Sequence, residues 1–521
     1  MKGAVAAGHP LTVEAGARAL ADGGNAVDAC VAAGLVSWVT ESPLTGPGGG
    51  GFMLVHRARD RSDRLLDFFV AVPGRGLQEG RRGTLQAVDV VFEPTNIQVF
   101  HVDGPSCAVP GMIAGLAAAH RAYGSRPWPE LVAPALELAR GGVEVTEAQA
   151  SLHRILDPIL RRTAGGRALY GEDGPLPAGG RLELSELATT LERLAADGAE
   201  PFYRGDLARR TSEAVLDEGG SLTTEDLASY RVIRRTPVRA RFRGHDLVSN
   251  PPPSSGGALI AFALGVLDRL GPPDEPGSAR QIARLAEVMR EATRARGRGF
   301  LRDLHRGGLA RRLLADERIE ESVARVEARR REVVGEPAGL PSTTHVSVVD
   351  AAGNAASLSG STGAGSGLVV PGTGIHLNNM LGEDDLLTLG VPGPCGRRLT
   401  SMMAPTLVLR DGGPRLVIGS AGSARLRGAI VQTVVNVLDH GLGIEEAVAA
   451  PRVHLDEDVL HLEAGLEPAV AEELGAMGYQ TVCWRAHNIF FGGASVVTRG
   501  AGGELEAAGD PRRGGAGAVV A

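Results

Sequence analysis

The chain is poor in aromatic residues, which make up 4% of its 521 positions, and it has only four cysteines and no excess of basic charge. So few rings leave little from which to build a base-stacking groove. With 54 lysines and arginines against 61 aspartates and glutamates, the net charge of -7 removes the general electrostatic case for gripping a nucleic-acid backbone. Cys30, Cys107, Cys395 and Cys483 lie far apart with no C-x-x-C pair. Neither a zinc knuckle nor a redox dithiol is indicated, and reduced thiols in a cytoplasmic protein are the simplest reading. No apolar run is long enough to span a bilayer, and the first ten residues lack the sustained apolar stretch of a secretory signal. The expectation is a cytoplasmic protein with no membrane and no nucleic-acid partner. The 13 histidines show no i, i+4 pairing and there is no H-E-x-x-H helix, so no metal is expected, and no cofactor is called for. A G-x-S-x-G elbow is also missing, which sets aside the serine hydrolases built on it.

What is present points to a well-packed chain. Hydrophobic residues make up 43% and charged residues 22%, and 73 glycines imply many tight turns and close backbone approaches. Residues 11–21 are Ala-rich with one charged face, Asp22-Gly23-Gly24 ends them as a helix C-cap would, and Asn25 can N-cap a second helix over 26–38. The run Gly48-Gly49-Gly50-Gly51 precedes a strand at 52–55. A phosphate loop would need the opposite order and a following Lys-Ser or Lys-Thr. From 110 to 332 apolar residues recur at three-to-four spacing, predicting helices over 113–123, 131–139, 184–196, 259–270 and 279–295. Pro251-Pro252-Pro253-Ser254-Ser255-Gly256-Gly257 reads as a rigid corner or as a helix start able to hold an anion. Residues 311–331 carry mixed charge, as a solvated helix does, and 335–341 form an irregular linker.

After that linker the period changes to two. Residues 343–350 and 355–359 predict a hairpin, with further strands at 406–410, 415–418 and 494–497 and a helix at 426–438. A helical first part and a strand-opened second part meet at Thr343. A threonine hydroxyl is a poor nucleophile near neutral pH, but a chain cut before it frees an α-amine that can serve as its general base. Taken alone, Ser342-Thr343-Thr344 reads as an ordinary strand start rather than a nucleophile.

The surrounding residues resemble the γ-glutamyltranspeptidase family along nearly the whole chain. The resemblance is carried by His9-Pro10-Leu11, Gly23-Gly24-Asn25-Ala26-Val27-Asp28-Ala29, Gly48-Gly49-Gly50-Gly51-Phe52-Met53, Val109-Pro110-Gly111, Phe202-Tyr203-Arg204-Gly205, Pro252-Pro253-Ser254-Ser255-Gly256-Gly257, the strand at 343–350, Leu377-Asn378-Asn379 and Gly509-Asp510-Pro511-Arg512-Arg513-Gly514-Gly515. It implies an α/β fold, the four-layer αββα sandwich of the N-terminal nucleophile hydrolases. It also implies a precursor that cuts itself between Ser342 and Thr343 into a large subunit, 1–342, and a small subunit, 343–521. The two would stay associated as one intertwined unit, with further homo-oligomerisation left open.

Roles follow from the resemblance, position by position. Thr343 is the implied nucleophile, Ser361 the hydroxyl that hydrogen-bonds it, and the amides of Gly422 and Ser423 the oxyanion donors, Ser423 standing for a usual glycine. Thr400 and Ser401 match a pair that contacts the substrate carboxylate, and Glu383 stands near the place of an acid that binds the substrate amine. Phe69, in Asp67-Phe68-Phe69-Val70-Ala71, stands where glutamyl-specific members have a carboxylate-binding arginine. Replacing a cation by an apolar ring removes a bidentate grip. The implied function is a self-processing hydrolase or acyltransferase working on a small molecule through a threonine acyl-enzyme, with weakened γ-glutamyl specificity. Two alternatives stand beside it: a carbon–carbon bond hydrolase of a natural-product pathway using the same nucleophile, and a catalytically silent binding protein.

Overall fold

The computed structural model describes residues 2–78, 83–93, 96–297, 299–328, 343–383, 386–387, 393–422 and 425–521. Two antiparallel sheets face each other between layers of helices. The seven-stranded sheet runs in the order Ala516–Val520, Gly3–Ala7, Thr344–Asp350, Ala355–Ser361, Gly50–Arg57, Ser62–Phe68, Ile233–Arg235. The six-stranded sheet runs Leu505–Gly509, Gly493–Arg499, Gly413–Ala421, Thr406–Arg410, His245–Ser249, Val238–Phe242.

Side-chain alternation along each strand produces the layers. In Gly3–Ala7, Ala4 and Ala6 join the apolar cluster between the sheets, while Val5 and Ala7 join the cluster formed with the outer helices. In Gly413–Ala421, Val417 faces the other sheet and Leu416 and Ile418 face helices. Helices Pro10–Ala21, Ala26–Thr40 and Met112–Tyr123 cover the first sheet; Gly256–Arg269 and Arg425–Leu438 cover the second, and Ala279–Arg294 packs on Gly256–Arg269. The result is the αββα sandwich.

The Asn25 cap is present and is a full capping box, Asp28 returning a bond to the Asn25 amide. Helix Ala26–Thr40 is buried on every face, since it lies between the first sheet and another helix, which is why it carries almost no charge. The five helices expected between 110 and 332 are found as Met112–Tyr123, Trp128–Gly141, Ser185–Asp197, Gly256–Arg269 and Ala279–Arg294. The mixed-charge stretch holds helix Asp316–Glu327, whereas the linker at 335–341 lies outside the described residues.

Strands from before and after Thr343 share both sheets: Gly3–Ala7, Gly50–Arg57, Val238–Phe242 and His245–Ser249 lie beside strands of the later part. The N-terminal strand is internal, one from the sheet edge: Val5 pairs with Val348 on one side and with Ala518 on the other.

Candidate active site

Thr343 stands immediately before the Thr344–Asp350 strand and is 6% exposed. Register then places its neighbour. Thr344 pairs with Gly360, so the next antiparallel step sets Thr343 beside Ser361, the last residue of the adjacent strand. The Ser361 hydroxyl accepts the Gly363 amide at 2.9 Å, which holds it at the mouth of the following turn.

The glycine run serves this edge. Ser361 pairs with Gly50 and Gly51 with Phe68, and a Cβ at Gly49 or Gly50 would collide with the Ser361 carbonyl or with the backbone at Phe68 to Val70. Only glycine allows the three strands to close so tightly, so the run has a packing role.

The other sheet supplies the opposite wall. Strand Gly413–Ala421 ends at Gly422, whose φ of +134° suits only glycine, and a Cβ there would lie 2.8 Å from the Gly492 Cα. Ala421 borders the same small pocket as Thr343, so the turn expected to hold an oxyanion opens beside the candidate nucleophile. Ser423 and Ser342 lie outside the described residues. Between the sheets, the His345 ring contacts Ser359 Oγ at 2.8 Å and Ser347 Oγ at 3.1 Å, with Ser357 Oγ at 3.2 Å. Ser347 and Ser357 in turn donate to carbonyls of the six-stranded sheet, at Ser495 and Ile418. Burial pushes the His345 pKa down to about 3, so the ring is neutral and cross-links the two sheets under Thr343.

The residues expected to contact substrate fall into two groups. Thr400 and Ser401 are buried at 2% and 4%; Thr400 Oγ1 donates to the Leu386 carbonyl at 2.9 Å, and Ser401 Oγ accepts the Met403 amide at 3.1 Å. The Pro-Ser-Gly corner braces them, since the Ser255 amide and the Ser254 and Ser255 hydroxyls all donate to the Ser401 carbonyl. The corner runs straight into helix Gly256–Arg269. Glu383 and Asn379 meet over Gly363, where a Cβ would strike both side chains. Asn379 Nδ2 donates to the His101 carbonyl at 3.3 Å, while its buried Oδ1 has no hydrogen-bond partner among the described residues.

Phe69 is 1% exposed and stacks on Phe52, ring centroids 5.5 Å apart at 22°. It belongs to an apolar cluster with Met380, Leu381, Leu399 and Met403. Its backbone is fixed from both sides, the amide by Asp67 Oδ1 at 3.0 Å and the carbonyl by the Tyr230 hydroxyl at 2.7 Å.

The sequence reading gave no site role to Glu41 and Arg513, which line the Thr343 pocket, together with Asp510, from outside the Thr344–Asp350 strand. A lone carboxylate closing an otherwise apolar helix, and the second arginine of the quoted C-terminal segment, were the available signals.

Residues 12–520 match the γ-glutamyltranspeptidase family. This chain belongs to that family. It is 32% identical over 538 residues to the glutathione hydrolase proenzyme of Escherichia coli K12, covering 98% of this chain and 90% of that one. It is also 32% identical over 500 residues to the acylase ACY 1 proenzyme of Pseudomonas sp. strain SE83, covering 92% and 87%. Among solved structures, a cephalosporin acylase from Bacillus halodurans superposes with a TM-score of 0.82 at 25% identity, covering 99% of this chain and 95% of that one. The protein is thus an N-terminal nucleophile hydrolase, made as a proenzyme and working through a catalytic threonine. Among the described residues of this γ-glutamyltranspeptidase-family enzyme, no group of three or more His, Cys, Asp or Glu could hold a metal ion. No helix among them is long and apolar enough to cross a membrane, and all four cysteines are free.

Proposed function

We propose that the enzyme cuts itself between Ser342 and Thr343 into chains 1–342 and 343–521, which stay together, and then hydrolyses amide-linked acyl donors with little preference for a γ-glutamyl group. In the first step the Thr343 hydroxyl attacks the Ser342 carbonyl, the peptide nitrogen leaves with the proton as the α-amine, and water releases the ester. In turnover the α-amine takes the Thr343 proton as the oxygen attacks the donor carbonyl. The Gly422 and Ser423 amides hold the oxyanion, and the leaving amine departs with the proton. Water, deprotonated by the same amine, then frees the acid. Ser361 orients the nucleophile by a hydrogen bond. Thr400 and Ser401 hold a carboxylate when the acyl group has one, and Glu383 takes its amine.

The observation that carries the specificity reading is the burial of Phe69 in an apolar cluster where, by family resemblance, an arginine would stand. A carboxylate directed there meets rings and methyls, and leaving it unpaired costs desolvation without the charge-assisted bond worth about 1.5–3 kcal/mol. Having both glutathione hydrolases and acylases among the relatives fits a scaffold on which acyl specificity has moved. The test is kcat/KM for glutathione and a γ-glutamyl anilide against a panel of apolar acyl amides and ketoacids. A clear preference for the apolar acyl amides supports the reading, and a large preference for glutathione overturns it.

A further inference from the structure

Self-cleavage before Thr343, the reading on which this inference rests, would create an α-amine inside the protein. A free α-amine titrates near 7.7–8.0, so at neutral pH it is largely protonated, whereas it must be neutral to act as the base for its own hydroxyl. The groups around it decide which form wins.

The pocket lies between the two sheets and is lined by Glu41, Thr344, His345, Ser495, Asp510 and Arg513 together with Thr343 and small residues. Its charges can be counted from every side. His345 is neutral and committed to three serine hydroxyls, and His9, next to the pocket glycine Gly8, is likewise pushed down to about 4 by burial. Asp510 is matched by Arg452 at 2.6 Å and Arg512 at 3.1 Å, and it also accepts the Ala494 and Arg512 amides. Glu41 and Arg513 are left facing Thr343.

Both are held in place. Glu41 accepts from Thr12 Oγ1 at 3.2 Å and from the hydroxyl of Thr344, the residue next to the nucleophile. The Nη1 and Nη2 atoms of Arg513 are buried and have no hydrogen-bond partner among the described residues. A Cβ at Gly8 would strike the Glu41 carboxylate and one at Gly493 the Arg513 stem, so the backbone makes room for both side chains. Burial raises the Glu41 pKa and lowers that of Arg513, and the attraction between the two opposes each shift.

We propose that Glu41 and Arg513 jointly set the proton affinity of the Thr343 α-amine, the carboxylate favouring its ammonium form and the guanidinium opposing it. The amine is thereby held where it can exchange a proton near neutral pH. Both act as positioning residues, through the field they impose at the nucleophile. Opposite charges within a few ångströms of a desolvated group shift it in opposite senses, by about one unit or more.

Each substitution has a definite sign. Glu41→Gln removes a group that favours the ammonium, so the amine pKa falls; Arg513→Met removes a group that disfavours it, so the pKa rises. The pKa is read by trace acetylation with acetic anhydride, which labels only the neutral amine, coupled to mass spectrometry of the peptide beginning at Thr343. Acyl donors must reach this atom's neighbour, so a small anhydride can reach it too. The expected result is a midpoint at least about one pH unit lower in Glu41→Gln and at least about one higher in Arg513→Met, with Glu41→Asp and Arg513→Lys close to wild type. Should no wild-type peptide begin at Thr343, the self-cleavage reading fails. If the peptide is present but the midpoints do not separate in those directions, the inference fails and self-cleavage stands. If Glu41→Gln does not mature, the Arg513 pair alone decides. Failure of all four variants to mature would assign the two residues to folding and overturn the proposal.

Discussion

Thr344 pairs with Gly360 across adjacent antiparallel strands, and this register sets Thr343 and Ser361 side by side at the strand ends. A hydroxyl at that place would hold the oxygen of the proposed nucleophile, Thr343, on one approach line. Ser361→Ala is expected to lower kcat about tenfold, the equivalent of roughly 1.4 kcal/mol, while Ser361→Thr keeps most of the activity. Steady-state kinetics on matured protein, with circular dichroism as the folding control, checks both.

The turn proposed to hold the oxyanion has a backbone only glycine adopts without strain, with Gly422 at φ +134° against Gly492. Gly422→Ala is expected to tilt the donor amide and cost about 2.7–4 kcal/mol of transition-state stabilisation, a drop of about 10²–10³ in kcat. Unchanged turnover in a folded, matured variant would remove Gly422 from the oxyanion hole.

Phe69→Arg should act in two directions. Burying a guanidinium among Phe52, Met380 and Leu399 lowers the melting temperature. The variant should nonetheless gain roughly tenfold or more in kcat/KM for a γ-glutamyl anilide relative to apolar acyl anilides, since a charge-assisted bond becomes available. Loss of stability with no change in that ratio would place Phe69 outside the acyl pocket.

Acid should weaken the fold through its neutral histidines. His376 Nε2 accepts the Gly367 amide at 3.1 Å, Nδ1 faces the Tyr170 hydroxyl at 3.3 Å, and burial pushes the pKa down to about 4. The unfolded chain takes a proton near 6.5 that the folded chain refuses until about 4. Stability from this residue is therefore complete above pH 6.5 and declines as pH falls towards 4. The melting-temperature advantage of wild type over His376→Gln should shrink across that window, and an advantage independent of pH would contradict the assignment.

Local patterns in the sequence were legible where they had a local cause. Asn25 and Asp28 mark a helix start by bonds within one turn, and alternation at 343–359 marks a hairpin, so both were found at nearly their true bounds. The Gly3–Ala7 strand was not, because five small residues carry no alternation and its place is fixed by partners at 347–350 and 516–520. The same limit applies to the site. Thr343, Ser361 and Phe69 were reached through motifs, whereas Glu41 and Arg513, far from Thr343 in sequence, become neighbours only when the strands from both parts of the chain interleave. Asn379 Oδ1, without a hydrogen-bond partner among the described residues, likewise lies where a Cβ at Gly363 would strike it, a contact no local pattern reveals.

Every catalytic role assigned to Thr343 depends on its being the first residue of the smaller chain. Intact-mass analysis of the purified wild type, with N-terminal sequencing of the small chain and the same measurement on Thr343→Ala, tests this most directly. The expected result is two chains, the smaller starting at Thr343, and a single uncut chain for the variant. One wild-type chain, or a small chain starting elsewhere, would contradict the mechanism.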